Sequence, residues 1–203
     1  ETELDDFMKR LPQGSFDRLR IEGLRAAKNG DLDGALKSLE AANKLQPLDP
    51  RVVVPYAEAL ILKDRFPEAE KLARDLIAKQ KDFGPIYDLL YAQYLRRNRL
   101  EDAEQIRKLK ADNNPASQEY RLQLAAHYML LDRRADADRV VQKMAEENKT
   151  FSQGREKAGD FYMLFRDFDK ALSYYRTGLN GSKEERLAAQ RKIADALIAQ
   201  GRR

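Results

Sequence analysis

Apolar and small residues recur along this chain with a period of 34 residues. One alanine marks the period, at Ala35, Ala69, Ala103, Ala137 and Ala171. Large apolar residues stand three positions before four of these alanines, at Leu32, Phe66, Leu100 and Phe168. Others stand nine positions before four of them, at Leu60, Tyr94, Tyr128 and Tyr162. Four successive alanine matches at one spacing have a chance probability of about 10⁻⁴. The chain is therefore built from a repeated unit.

Each 34-residue unit contains two helical patterns. In the unit 118–151, apolar residues on one side mark a first helix over "QEYRLQLAAHYML" and a second over "ADADRVVQKMAEEN". The turn between the two patterns has a helix-stopping residue at a matching place in four units, and Arg166 stands there in the fifth. The four are Gly30, Asp64, Asn98 and Asp132. No alternating strand pattern of useful length appears, so the sequence predicts an all-α chain.

Two helices per 34 residues, with small residues where the helices approach, resemble the tetratricopeptide repeat family. The small residue at the eighth position of that repeat is met by Gly23, Ala57, Ala125 and Gly159, and the alanine at the twentieth position is met in all five units. Tyr91 departs from the pattern, and the closing proline is met only by Pro47 and Pro115. The resemblance implies a right-handed solenoid of stacked antiparallel helix pairs, in which the first helices line a concave face.

The predicted organisation has three parts. Residues 1–15 form an N-terminal capping segment, residues 16–185 form five repeats, and residues 186–203 form the first helix of a sixth repeat or a C-terminal cap. The five repeats are 16–49, 50–83, 84–117, 118–151 and 152–185. In the third repeat, Arg107 and Lys110 stand where the second helix should be apolar. This favours a rotation of that helix by one residue.

Composition and charge exclude several classes of function. The formal charge is +4, but the excess lies in residues 186–203 while the repeats are balanced, so no basic stripe for nucleic acid is evident. No apolar run approaches the roughly 20 residues of a membrane span. The chain contains no cysteine, begins at Glu1 and stops just after a turn glycine. We expect a soluble part of a longer protein, without a signal for its compartment.

Catalytic and cofactor chemistry have no support in the sequence. His127 is the only histidine and no cysteine is present, so a zinc site cannot be assembled. The stretch "DRRADAD" lacks the glycine and glutamate of a calcium loop, and "GDLDGALKS" lacks the Gly-Lys of a phosphate loop. We therefore expect no enzyme activity, no metal and no cofactor.

Candidate binding residues lie on the first helices. Repeat positions 2, 5, 9 and 12 share one side of a helix, and the resemblance places that side on the concave face. The candidates are Val54, Glu58, Ile61, Asp88, Leu95, Leu122, Ala126, Met129, Glu156, Asp160 and Met163. Position 12 gives an apolar row and the acids flank it. The alternative interpretation is that position 12 packs neighbouring first helices together.

An apolar row with acidic flanks predicts a protein-interaction scaffold. Its partner would be a peptide or helical segment with apolar anchors and neutral or basic flanks. The family's carboxylate clamp needs a lysine and then an asparagine on one first helix, and no repeat supplies that pair. A chaperone-tail receptor is therefore not expected.

Two other functions stay open at this point. The repeats could be a structural spacer or an oligomerisation element, or they could recognise substrate for a larger enzyme. The segment "LDDFMKRL" is out of phase with the repeats and has an amphipathic helical pattern, with Leu4, Phe7, Met8 and Leu11 on one side. It would either cap the first repeat or occupy a groove in its own chain or in a neighbour's.

Overall fold

The computed structural model describes residues 3–147 and 154–201, which form helices joined by short turns and contain no strand. The helices are α1 (Glu3–Arg10), α2 (Phe16–Lys28), α3 (Leu32–Leu45), α4 (Pro50–Leu62), α5 (Phe66–Lys79), α6 (Gly84–Arg96), α7 (Leu100–Asn113), α8 (Gln118–Leu130), α9 (Arg134–Glu147), α10 (Glu156–Leu164), α11 (Phe168–Arg176) and α12 (Lys183–Ala199). A short 3₁₀ helix, Thr177–Asn180, follows α11. The predicted all-α fold class is confirmed.

The chain divides into two compact units, with the division after Ile106, inside α7. In the first unit, α2 packs against α3 and α4 packs against α5, and further contacts join α3 to α4 and α5 to α6. In the second unit, α8 packs against α9 and α10 against α11, and α12 packs on α11. Each unit is therefore a stack of helix pairs. The repeat boundaries given above stay a proposal.

A left-handed residue ends the first helix of each pair. The five residues are spaced by 34 and all have positive φ: Gly30 (81°), Asp64 (56°), Asn98 (55°), Asp132 (55°) and Arg166 (59°). The residue that follows each of them donates a backbone hydrogen bond of 2.8 to 2.9 Å. The acceptor is the carbonyl of the residue four positions before the left-handed residue. This bond satisfies a carbonyl that the helix end leaves free. Glycine, aspartate and asparagine tolerate this conformation best, and Arg166 adopts it without their advantage.

The repeated alanines lie in the hydrophobic core. All five are fully buried, in the cores of the two units. Tyr94 and Tyr162 are also buried, and each phenol donates a 2.7 Å hydrogen bond to a carboxylate 24 residues earlier, Glu70 and Asp138 respectively. Burial, and then the neighbouring carboxylate, raise the pKa of both hydroxyls, which therefore stay protonated as donors. The repeat thus includes a polar bond as well as an apolar core.

Helix α7 is not rotated, contrary to the expectation from its charged residues. Ala103 and Ile106 are buried as the repeat requires, and Lys110 is buried at the next inward position with 1% of its surface exposed, while Leu109 is partly exposed. Lys110 Nζ lies 3.0 Å from Gln123 Oε1 and 4.0 Å from the centre of the Tyr120 ring. An amide oxygen and an aromatic face can both stabilise a buried ammonium group.

Helix α1 lies outside the helix pairs of the first unit. Met8 is its buried residue. Asp5 forms an ion pair with Arg25, and the Leu11 carbonyl that follows the helix accepts a 3.2 Å hydrogen bond from Arg18. Leu4 and Phe7 remain exposed over 45% and 50% of their surface. Only part of the apolar side of this helix is therefore packed against the unit.

Among the described residues, none of the helices combines the length and the apolar character that crossing a bilayer requires.

We predict that Pro55→Ala stabilises the first unit by about 1–2 kcal/mol, because Pro55 lies inside α4 and cannot donate a hydrogen bond to the Arg51 carbonyl. Chemical denaturation followed by circular dichroism measures the change. Pro85→Ala is the matched control, since Pro85 lies in the first turn of α6, where no helical N–H bond is lost. An equal or negative change for Pro55→Ala would contradict this expectation.

Candidate functional site

A groove of about 520 Å³ lies between the first helices of two adjacent pairs in the first unit. We call it the α4–α6 groove. Its lining residues are Val54, Glu58, Ile61 and Leu62 from α4, and Pro85, Leu89, Ala92, Gln93 and Arg96 from α6. Leu62 is the most exposed large apolar side chain in it, with 68% of its surface accessible. A large apolar side chain held open on a rigid helix is suited to contact with a partner.

The second unit contains a corresponding groove of about 370 Å³ between α8 and α10. We call it the α8–α10 groove. Its lining residues are Glu119, Leu122, Gln123 and Ala126 from α8, and Lys157, Asp160, Phe161 and Leu164 from α10. Leu164 is 76% exposed.

The two grooves are the same place in the repeat. Six lining positions of one correspond to six of the other at a distance of 68 residues, which is two repeats. The pairs are Val54 and Leu122, Glu58 and Ala126, Leu89 and Lys157, Ala92 and Asp160, Gln93 and Phe161, and Arg96 and Leu164. The grooves therefore arise from the spacing of first helices and not from a local irregularity. Their side chains differ, which gives each groove its own chemistry.

Six of the eleven predicted binding residues line a groove, and five do not. The six are Val54, Glu58, Ile61, Leu122, Ala126 and Asp160. Of the other five, Met129 and Met163 are half-buried against the core of the second unit, as the alternative packing interpretation of position 12 expects. Asp88, Glu156 and Leu95 line neither groove, and Leu95 is exposed.

The two predicted acidic binding residues of the second unit, Asp160 and Glu156, are already paired. Lys192, on α12, places its Nζ 2.7 Å from Asp160 Oδ1 and 3.7 Å from Glu156 Oε1. Asp160 Oδ1 also accepts a 2.6 Å hydrogen bond from the buried Tyr175 hydroxyl. Burial acts to lower the pKa of Lys192, but Asp160 and Glu156 outweigh it and raise that pKa above its usual value. These carboxylates are therefore much less available to a basic ligand than the sequence suggested.

The α4–α6 groove has one charge of each sign. Glu58 stands on the α4 side and Arg96 on the α6 side, and neither forms an ion pair within residues 3–147 and 154–201. The groove is thus apolar, with one available carboxylate and one available guanidinium group. Both can pair with opposite charges on a partner.

Sequence reasoning missed repeat positions 6, 10 and 13. These positions supply Leu89, Gln93 and Arg96 in the first unit and Lys157, Phe161 and Leu164 in the second. A pattern on one helix identifies one wall, whereas a groove has two walls that come from different helices. The signal was present at position 13, where exposed leucine recurs at Leu62, Leu130 and Leu164.

A third groove, of about 690 Å³, lies between the second helices α3 and α5. Its rim consists of side chains that already pair within their own helices. Glu40 pairs with Lys44 over 2.7 Å, and Asp75 pairs with Lys71 over 2.6 Å. Lys79 donates to the Pro47 carbonyl over 2.6 Å. This rim has less unpaired charge to offer a partner than the α4–α6 groove has.

Within the part of the chain that the structure describes, no three histidine, cysteine or acidic side chains come together as a metal site would need. His127 is buried on α8, with its ring centre 6.0 Å from that of Tyr128.

Comparison with known proteins agrees with this architecture. A tetratricopeptide repeat family model matches residues 26–94. The chain is similar to a tetratricopeptide repeat protein from Parabacteroides merdae ATCC 43184, with 18% identity, a TM-score of 0.53, and coverage of 94% of this chain and 75% of that one. It is also similar to the MamA RS-1 ArsTM double mutant, with 13% identity, a TM-score of 0.51, and coverage of 93% and 97%.

A further similarity is to a chain in the structure of Naa15/Naa10 bound to HypK-THB, with 16% identity, a TM-score of 0.52, and coverage of 98% of this chain and 31% of that one. No curated protein matches the chain.

The helix pairs and their grooves define a helical-repeat protein. The resemblance to the tetratricopeptide repeat family is confirmed, by the family model over residues 26–94 and by the fold over most of the chain. Proteins of this family are generally non-enzymatic scaffolds for protein–protein interaction, and their partners are proteins or peptides.

Proposed function

We propose that this chain holds a segment of a partner protein in the α4–α6 groove and in the α8–α10 groove. The observation that carries the proposal is the recurrence of one groove at one repeat position. An exposed leucine lines each groove, Leu62 on the first wall of one and Leu164 on the second wall of the other. The partner segment would supply apolar side chains as anchors, and the helices on each side would supply walls that are already in place.

Affinity in such a site comes from burial of apolar surface on a rigid receptor. Burying one large aliphatic side chain contributes about 1.5–3 kcal/mol. Two such anchors in one groove would contribute about 3–6 kcal/mol, and the entropy cost of association reduces this, so a single segment should bind more weakly than micromolar. Because the groove walls belong to packed helices, most of the ordering cost falls on the partner segment.

The sequence predicted a partner with neutral or basic flanks, and the ion pairs of the second unit weaken the preference for basic flanks. Asp160 and Glu156 pair with Lys192, so they select weakly for a basic partner. Glu58 remains available, but Arg96 lies across the same groove. We therefore propose a partner segment that is neutral overall around its apolar anchors, with any charges arranged to match one carboxylate and one guanidinium group.

A peptide-display selection tests the proposal. The parent protein is compared with the double variant Leu62→Glu/Leu164→Glu, which puts a charge into each groove at an exposed position. The matched control is Leu130→Glu, because Leu130 has the same repeat position and is 69% exposed but lines neither groove. All three proteins should show the same helicity and unfolding midpoint.

Peptides that bind the parent should bind the Leu130→Glu control equally and lose at least tenfold in affinity on the double variant, about 1.4 kcal/mol. Peptides that bind all three proteins alike, or no enrichment on any of them, would count against groove binding.

A further inference from the structure

Helix α1 has an apolar surface that its own unit does not cover. Leu4 and Phe7 are one helical turn apart and about half exposed, while Met8, beside Leu4 on the same apolar side, is buried. We call Leu4 and Phe7 the α1 ridge. Its first turn is acidic and its last turn is basic. Asp5 already pairs with Arg25, and Asp6 pairs with Lys9, so Glu3 at one end and Arg10 at the other are the charges that the ridge offers to a partner. The ridge is therefore a short apolar stripe with a negative end and a positive end.

The α4–α6 groove complements this ridge in its apolar surface and in its charges. Its lining is apolar at Val54, Ile61, Leu62 and Leu89. Glu58 and Arg96 give it one charge of each sign, and each charge is available to a partner. An acidic end can pair with Arg96 and a basic end with Glu58, while the two apolar side chains fill the space between the helices. The ridge protrudes and the groove is concave, and their apolar and charged groups correspond.

We infer that the α1 ridge of one copy docks in the α4–α6 groove of a second copy. This inference rests on the proposed function of that groove, and it names a second copy of the chain as one occupant. A second copy is always present at the protein's own concentration, so occupancy follows mass action.

Such a contact is heterologous, because it joins a ridge on one copy to a groove on the next. It leaves one free ridge and one free groove in every dimer, so association continues into chains or closes into a ring. Only one short helix and one groove take part, which is less area than the roughly 1,200 Å² of a stable interface. We therefore expect a weak dissociation constant, on the order of 10⁻⁴ M. At high concentration the ridge would compete with other partners for the groove.

Sedimentation velocity of the full 203-residue chain tests the inference, over roughly 5 to 500 µM, a range that brackets the expected dissociation constant. The parent should sediment faster as concentration rises. The ridge variant Leu4→Ser/Phe7→Ser and the groove variant Leu62→Glu should each stay monomeric. Leu130→Glu, the matched exposed leucine outside the groove, should behave as the parent.

A mixture of the ridge variant and the groove variant gives the most decisive result. The ridge variant keeps its groove and the groove variant keeps its ridge, so together they should form a dimer with one copy of each and nothing larger. A parent that stays monomeric at every concentration overturns the inference, and so does a ridge variant that associates as the parent does. A mixture that stays monomeric also overturns it.

The outcomes separate this inference from the proposed function. If display peptides need the grooves but the parent remains monomeric, the self-association is wrong and partner binding stands. If Leu62→Glu abolishes association while no peptide is enriched, the groove serves self-association and the partner-binding proposal fails. A monomeric parent that binds an enriched peptide more weakly than the ridge variant does would place the ridge in its own groove, which also overturns docking between copies.

Discussion

Gly159→Ala should destabilise the second unit by about 2–4 kcal/mol, although alanine is the better helix former. A Cβ atom at residue 159 would lie 2.3 Å from Tyr175 Cε1 and 2.6 Å from Cδ1, in the middle of the ring and not at a flexible end. Tyr175 cannot easily move, because its ring is buried and its hydroxyl is bonded to Asp160 over 2.6 Å. The gain of about 1 kcal/mol in helix propensity is smaller than this overpacking cost.

Urea unfolding followed by circular dichroism measures the loss, and a second substitution tests its cause. Tyr175→Leu removes the ring that the new methyl group would meet, so Gly159→Ala should cost much less in that background. A double-mutant cycle should give a coupling of more than about 1 kcal/mol between the two positions. Additive effects, or a Gly159→Ala protein as stable as the parent, would show that the ring tolerates the methyl group.

The glycine at this position shows what the sequence could and could not predict. The family resemblance predicted a small side chain at residue 159, where the helices approach. It could not say that Tyr175 is the neighbour, since that contact depends on how α10 and α11 pack. The turn residues are a similar case. Their spacing is visible in the sequence, and the left-handed backbone conformation in the structure explains it.

The sequence-based expectations that were wrong have a common physical reason. Lys110 looked out of place in a core helix, but the contacts that stabilise it come from Tyr120 and Gln123 on the next helix. Asp160 looked like an available acid, but Lys192 on α12 pairs with it. A sequence pattern describes one helix at a time, whereas the role of these residues depends on contacts with a second helix. The same limit hid one wall of each groove.

Glu70→Gln should destabilise the first unit by about 2–3 kcal/mol at neutral pH, because Glu70 is the acceptor for three donors. Its carboxylate accepts from the Tyr94 hydroxyl over 2.7 Å, from Arg99 Nη1 over 2.8 Å and from Arg74 Nη2 over 3.2 Å. A neutral amide presents one oxygen instead of two and carries no charge to offset the two guanidinium groups. Glu68→Gln is the matched control on the same helix, since its exposed ion pair with Arg65 should contribute little.

The pH dependence of this difference identifies the charge as its source. Burial acts to raise the pKa of Glu70, but hydrogen bonds from Arg99 and Tyr94 outweigh it and hold that pKa below the ordinary value of 4.5. A carboxylate whose pKa falls on folding stabilises the folded state above its unfolded pKa and loses that contribution as the pH falls through its folded pKa. The stability gap between the parent and Glu70→Gln should therefore be constant above about pH 6 and narrow as the pH falls below 4.5. Other carboxylates with lowered pKa are present in both proteins and cancel in the difference. A gap of the same size from pH 7 to pH 3 would mean that shape, and not charge, makes Glu70 important.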